Sequence, residues 1–345
     1  MFQSRTVRAG EPESATWRET EPDRPMAGPG RWDLLGRVPM PLRRPVRAEL
    51  DRALRCHDLA WSVVMGGAWD APFDEMLALH SADDLPGMVM TSWAPDALSA
   101  HLLATYPGGA CPPPDLHPAC AEAGLIDPLG VFSVFAVIPL VFLVDLRRLG
   151  DRPPPRCWGD LLGPLYRGDV VFGGWRPNDR VPFTDYNQIL LLGLFERFGA
   201  EGIRAFAANV KALRHNVVSA KIAGSGHPGG AAVTVLPWMQ AEMSPRRDRV
   251  AVVWPEDGAL AMPIGTMSRP DRRERLRPVF ECLSGPALGR VLARNCYPPV
   301  GGAAAQAAFP AQARLSWLGW DHVRAHDMAE RSRIAGRLFF ESWGG

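Results

Sequence analysis

The longest apolar run of the chain, residues 131–144, limits the folds that are open to it. The run contains Ser133 and Pro139 and leads into Asp145, so it is too short for a membrane-spanning helix, which needs about 20 residues. Its valine, phenylalanine and isoleucine content is typical of strands that are buried on both faces. The run therefore predicts one or two central strands of a sheet and no membrane insertion.

Shorter patterns before and after this run alternate between strand and helix. Val46, Leu50 and Leu54, for example, recur every four residues and predict an amphipathic helix, and Gly199 is expected to end a long one. The predicted strands are 37–41, 59–65, 88–91, 170–172, 231–236, 250–254 and 259–263, and the predicted helices are 45–54, 184–199, 203–213, 274–283 and 287–295. This alternation predicts an α/β fold with parallel strands.

Charge and composition exclude several classes of protein. Hydrophobic residues make up 47% of the chain, which predicts a packed core, and 38 basic residues nearly balance 37 acidic ones. Nothing in this balance favours binding to nucleic acid or to an anionic membrane.

The first 30 residues bear on the location of the protein. Their composition predicts a disordered segment, and they lack the apolar region of a signal peptide. The chain as written is therefore expected in the cytoplasm, and in the periplasm if the true start or the export route differs.

Five predicted strands end in small or aromatic residues, and a loop follows each of them. In open parallel sheets, ligands bind outside the carboxyl ends of the strands, so these loops form the candidate site. Trp93, Trp175 and Trp238 lie there, where a core role competes with a ligand-facing role. Arg43 lies near the start of the first predicted helix, where it could bind an anion or stay solvated.

The cysteines leave three readings open. Cys111 and Cys120 flank His117, and the pair fits free thiols, a local disulfide or part of a metal site. Together with Cys56, they also motivate a thiol enzyme, although no base is spaced to activate any of the three.

The run Pro154–Val171 resembles a segment of bacterial solute-binding proteins. In the iron, thiamine and polyamine branch of the type II periplasmic-binding fold, a pattern of Pro, Trp, Asp-Leu-Leu, Pro, Tyr and Gly leads into the first strand of the second lobe. Here the pattern reads Pro155, Trp158, Asp160-Leu161-Leu162, Pro164, Tyr166 and Gly168. Residues 85–90, 137–145, 258–264 and 280–299 resemble further segments of the same family, in the same order.

The resemblance implies two α/β lobes joined by hinge strands, with a ligand in a cleft that closes by hinge motion. Lobe one would comprise residues 31–140 plus 255–345, and lobe two residues 145–250. The implied protein is a non-catalytic, monomeric solute-binding protein that needs no cofactor and serves an ABC permease. The cleft would be lined by Pro41, Arg43, Gly66, Gly67, Ser92, Trp93, Gly174, Trp175, Tyr186 and Trp238.

One departure from the family pattern restricts the type of ligand that is expected. Ferric-binding members carry two adjacent tyrosines at the strand end that reads Leu236-Pro237-Trp238-Met239 here, and none of the four tyrosines of this chain are adjacent. Direct Fe(III) ligation of that type is not expected, and the ligand is predicted to be a small molecule or a metal chelate. The alternatives are a cytoplasmic ligand- or metal-handling relative, and an enzyme on the same fold that uses cleft cysteines.

Overall fold

The computed structural model describes residues 32–63, 84–93, 106, 115–174 and 185–344, with the side chains of 185 and 186 excepted. The strands of this part are β1 (Leu34–Gly36), β2 (Trp61–Val63), β3 (Met88–Ser92), β4 (Ser133–Asp145), β5 (Val170–Gly173), β6 (Val210–Arg214), β7 (Val233–Pro237), β8 (Val250–Val253), β9 (Ala259–Ser268) and β10 (Leu315–Ser316). Its helices are α1 (Met40–Leu54), α2 (Pro118–Glu122), α3 (Leu146–Leu149), α4 (Asp185–Asn209), α5 (Asn216–Ile222), α6 (Trp238–Glu242), α7 (Arg273–Ser284), α8 (Pro286–Arg294), α9 (Ala303–Ala308), α10 (Trp320–Ala325) and α11 (Met328–Ser342).

The predicted central run forms one long strand, β4, and not two. The first half of β4 pairs with β9, and its second half pairs with β7 on one side and β8 on the other. From Val134 to Asp145 every residue of β4 is buried, as expected for a strand that is covered on both faces. The sheet order is β2-β1-β3-β9-β4-β7-β5-β6, so β4 and β9 join its two ends.

Two groups of parallel strands flank this pair. β1 pairs in parallel with β2 and β3, and β5 pairs in parallel with β6 and β7. Helices follow strands in both groups, for example α1 after β1 and α4 after β5. The α/β fold predicted from the sequence is thereby confirmed.

The end of the chain connects the two groups a further time. The sequence assigned residues 255–345 to lobe one, yet α11 at the end of this range packs against α4, in the range assigned to lobe two. Phe339 of α11 is fully buried, with its ring centroid 5.4 Å from that of Phe172 in β5, and Trp343 donates to the carbonyl of Val210 at 2.9 Å. The apolar face of α11 explains this placement, because α4 and β5 cover Phe339.

The segment before α11 is held by the other half of the structure. The Trp320 indole in α10 donates to the carbonyl of Leu125 at 2.9 Å, and Arg324 forms an ion pair with the buried Asp127. Asp127 also accepts hydrogen bonds from three backbone N–H groups of its own loop. Residues 320–342 therefore form a third crossing between the halves, in addition to β4 and β9.

Local predictions differ from the structure at two places. β1 lies at Leu34–Gly36 and not at 37–41, because the prolines of that range lack the N–H that a sheet needs, and Pro41 lies in the first turn of α1. The helical prediction for 203–213 fails at its end, where Val210 begins β6 and pairs with Val170. Gly199 does interrupt α4 as predicted, with a φ of 65°.

The third crossing can be tested by its effect on stability. Replacing Phe339 by alanine should lower the free energy of unfolding by about 3–5 kcal/mol, because a fully buried aromatic ring leaves a cavity. The control is Arg337→Ala on the exposed side of the same helix, which should change it by less than about 0.5 kcal/mol. Urea unfolding measures both variants, and a loss below about 1 kcal/mol for Phe339→Ala would show that α11 is not docked in this way.

Candidate functional site

The register of the sheet brings the ends of the two parallel groups towards each other. Ser92, the last residue of β3, pairs with Ile264, which in turn pairs with Ala136 of β4. Pro237, the last residue of β7, pairs with Leu140 of the same strand. The two sets of strand ends therefore face each other across four residues of β4, which is about 13 Å at the rise of a strand. We call the space between them the strand-end gap.

On the β3 side of the gap, polar side chains follow the strands. Arg37 comes directly after β1, and its Nε donates to the hydroxyl of Thr91 in β3 at 3.0 Å. Arg43 in the first turns of α1 is 3% exposed, whereas the predicted site residue Pro41 is exposed. Ser92 is buried at the end of β3. Two guanidinium groups and two hydroxyls thus lie at this edge of the sheet.

Trp93 is placed in the core. Its side chain is 1% exposed and meets the ring of Trp317 edge to face, with the centroids 5.0 Å apart. Its backbone N–H donates to the carbonyl of Pro263 at 2.7 Å. Of the two roles that the sequence left open for Trp93, these contacts favour packing.

On the β5 side, two glycines allow amide side chains to approach the backbone. A Cβ at Gly173 would lie 2.0 Å from Oδ1 of Asn216, and a Cβ at Gly174 would lie 1.9 Å from Nδ2 of Asn187. Gly174 also has a φ of 126°, which only glycine adopts readily. Asn216 begins α5 and Asn187 lies in the first turn of α4, and both are buried. Larger residues at 173 and 174 would displace these amides.

Helix α6 begins directly after β7 and adds two more side chains. Trp238 is half-buried, its indole donates to Glu242 at 3.0 Å, and its ring meets Trp254 edge to face at 5.4 Å. Gln240 is 6% exposed, and within the described residues neither its Oε1 nor Oδ1 of Asn216 has a hydrogen-bond partner. Buried polar atoms of this kind cost free energy until a partner satisfies them.

The other predicted site residues are not described. Gly66, Gly67 and Trp175 lie outside the described residues, as does the side chain of Tyr186. Sequence reasoning missed Asn187, Asn216 and Gln240. Their position in the first turn of a helix that follows a strand is the signal that could have found them.

The thiol alternatives gain no support from the described cysteines. Burial raises the pKa of Cys120 to about 12 and that of Cys282 and Cys296 to about 11, which disfavours the thiolate that a nucleophile or metal ligand requires. Cys120 is a buried free thiol, and Cys111, its partner in the local disulfide alternative, lies outside the described residues.

His117 has a structural role, and no metal site is recognisable in the described part of the chain. The Nδ1 of His117 accepts the N–H of Ala119 at 3.2 Å and so caps α2, and its ring stacks on Phe309. Among the described residues, no three His, Cys, Asp or Glu side chains are grouped as metal ligands.

The three tyrosines whose side chains the structure describes are also placed away from a metal role. Tyr106, Tyr166 and Tyr297 are all buried in the core, and the hydroxyl of Tyr106 donates to the carbonyl of Pro86 at 3.0 Å. Burial raises the pKa of Tyr106, which disfavours the phenolate that ferric iron binds.

The glycine-rich loop 224–230 is not a phosphate cradle. Its N–H groups at Gly224 and Gly229 bind Asp145 and the His227 ring at 2.8 and 3.0 Å. Its carbonyls accept from basic side chains, with Lys211 donating to Gly230 at 2.8 Å. A loop that cradles phosphate presents free N–H groups, and here they are already bonded. In the described part of the chain, no helix has the length and apolarity to cross a membrane.

Comparison with solved structures shows the fold. An iron-binding protein of Trichodesmium (IdiA, FutA), solved with iron and citrate, superposes with a TM-score of 0.64 at 14% identity, over 90% of this chain and 98% of that one. Ferric ion-binding protein A of Pasteurella haemolytica superposes with a TM-score of 0.59 at 14% sequence identity. The match covers 90% of this chain and 96% of that one. A third solved structure is the periplasmic binding protein AfuA of Actinobacillus pleuropneumoniae with fructose-6-phosphate. It superposes with a TM-score of 0.56 at 15% sequence identity, and the match covers 90% of this chain and 97% of that one.

Comparison with family models identifies the chain. None of the curated proteins compared with it is similar enough in sequence to count as a match. The model of a family described as bacterial extracellular solute-binding proteins, in contrast, matches residues 84–326, which is more than half of the chain. This range contains β3 to β10 and both sides of the strand-end gap. The two-lobed periplasmic-binding fold predicted from the sequence is confirmed, and the chain belongs to the bacterial extracellular solute-binding protein family.

Proposed function

We propose that the chain binds a small organic solute in the strand-end gap and delivers it to an ABC permease, outside the cytoplasm and without catalysis. The observation that carries this proposal is the register of β4, which sets two groups of parallel strand ends opposite each other. Membership of an extracellular solute-binding family supports the location and the transport role. The site would include the described residues Arg43, Ser92, Asn216, Trp238 and Gln240.

The polar groups at the gap support an organic ligand over a bare ferric ion. Buried amides of Asn216 and Gln240 offer hydrogen bonds to a neutral or weakly charged group, and an amide oxygen is a poor ligand for Fe(III) beside carboxylate or phenolate. Since the three described tyrosines lie in the core, none of them supplies a phenolate. Solved structures with this fold hold iron with citrate in one case and fructose-6-phosphate in another, so the fold accepts both metals and polar organic solutes.

We further propose a division into lobes that differs from the sequence expectation in its last part. Lobe one would contain β1 to β3 with α7 to α10, and lobe two would contain β5 to β8 with α11 added to it. The contacts of Phe339 and Trp343 support this assignment of α11. Hinge motion would then bend β4, β9 and the third crossing, and the protein would act as a monomer.

Native mass spectrometry of protein purified without denaturation tests the proposed function. It should show one bound molecule of organic mass per chain, because a ligand enclosed between two lobes dissociates slowly. Dialysis against mild denaturant followed by re-addition of that molecule should restore the complex. A chain that retains nothing, and binds no member of a broad panel of amines, sugars and organic acids, would contradict it. Stoichiometric binding of ferric ion alone would contradict the organic ligand.

The role of the amides can be tested by substitution. Gln240→Ala should weaken binding of the retained solute about tenfold, because one buried hydrogen bond to the ligand is lost. Met243→Ala is the matched control, since Met243 directly follows the same helix with its side chain 55% exposed, and its affinity should be unchanged. Calorimetric titration measures both. Equal affinity of the two variants would exclude Gln240 from the site.

A further inference from the structure

A pocket lies behind the strand-end gap, between α4 and the chain segment that follows β10. Its volume is about 240 Å³, and α4, β9 and residues 316–322 form its walls. Leu260 of β9, which lines it, pairs with Leu140 on one side and Ser316 on the other. Helix α4 starts at the strand ends and runs away from them, so its pocket residues, from Ile189 to Arg197, lead away from the gap. The pocket therefore extends away from the gap along α4, from an inner end where Leu260 pairs with Leu140 and Trp317 contacts Trp93.

The apolar part of this pocket's wall lies beside polar side chains, which are Glu196, Arg197, Ser316 and His322. Ile189, Leu260 and Ala261 line it, and each is at most 5% exposed. The half-buried Trp317 and Leu318 complete the wall on the opposite side. A cavity of about 150 Å³ with such walls binds benzene, so this pocket has room for one ring with a small substituent.

The charged residues of the pocket leave a single cation available. The carboxylate of Glu196 is held by Arg331, with Nη2 and Oε2 2.8 Å apart, and the His322 ring lies 3.0 Å from the same oxygen. Arg197 donates from one nitrogen to Asp257 at 2.8 Å, and it has no second acceptor among the described residues. Its side chain is 28% exposed, so its remaining N–H groups can reach a ligand.

We propose that this pocket is a second binding site, which takes a small apolar monocarboxylate. The apolar walls would contact the ring or branched chain, and Arg197 would bind the carboxylate. An amine is disfavoured because the one acidic group, Glu196, is already bound by Arg331 and approached by His322. A dicarboxylate is disfavoured because its second charge would meet the apolar side chains of Ile189 and Leu260 and would find no cation there, only the neutral indole N–H of Trp317. This site does not depend on the identity of the transported solute.

Calorimetric titration with benzoate tests this site, with benzamide as the neutral molecule of the same shape. Benzoate should bind one site per chain with a Kd of about 0.1–1 mM, the range open to so small a ligand, and benzamide about fivefold more weakly. Arg197→Gln should weaken benzoate about fivefold, because it removes the charge and leaves a shorter, neutral amide. Leu318→Trp should abolish binding by filling the pocket.

Two controls separate this site from general charge effects and from the cleft. Arg204→Gln on the same helix, whose arginine pairs with Glu201, should leave the benzoate affinity unchanged. Gln240→Ala, which alters the proposed solute site, should leave it unchanged as well, so failure of one site is distinguishable from failure of the other. Absence of saturation by about 10 mM benzoate, equal weakening by both arginine variants, or loss of binding in Gln240→Ala would overturn the proposal. If Arg197→Gln lowers the melting temperature of the protein, the benzoate affinity of Leu318→Trp alone decides whether the pocket binds benzoate.

Discussion

The architecture depends on one shared strand. β4 runs through both halves of the molecule, pairs with β9 along its first half and with β7 and β8 along its second, and is buried almost throughout. Because β3 runs antiparallel to β9 and β9 runs antiparallel to β4, β3 runs in the direction of β4, whereas β7 runs against it, so the two groups of parallel strands arrive from opposite directions. Their carboxyl ends therefore meet near its middle, and a site between two α/β units results from the register.

Close approach of side-chain amides to the backbone determines which polar groups lie at the strand ends. Gly173 and Gly174 carry no Cβ, so the amides of Asn216 and Asn187 reach the backbone at the end of β5. Gln240 adds a third amide from the helix after β7. Neutral amides select ligands by hydrogen bonding and not by net charge, which agrees with a chain of formal charge +1. In the proposed closure, the third crossing through α10 and α11 would add a restraint on how the two halves move.

Sequence reasoning predicted the features that rest on local patterns. The central run, the interruption at Gly199 and the amphipathic α1 all follow from hydrophobic spacing and backbone preference, and the fold class followed from their order. Contacts between segments that are distant in the chain could not be predicted from the sequence. The packing of Trp93 on Trp317 and of α11 on α4 joins residues far apart in the chain, and no local pattern encodes the partner. The site amides were missed for the same reason, because an asparagine at a helix start also fits a simple cap.

The central claim is that a solute bound in the strand-end gap draws the two halves together. Small-angle X-ray scattering of the ligand-free chain and of the same sample after re-addition of the retained solute tests it most directly. We expect a smaller radius of gyration with the solute bound, since the halves would rotate about β4, β9 and the third crossing. An identical scattering curve at saturating solute would contradict a closing cleft.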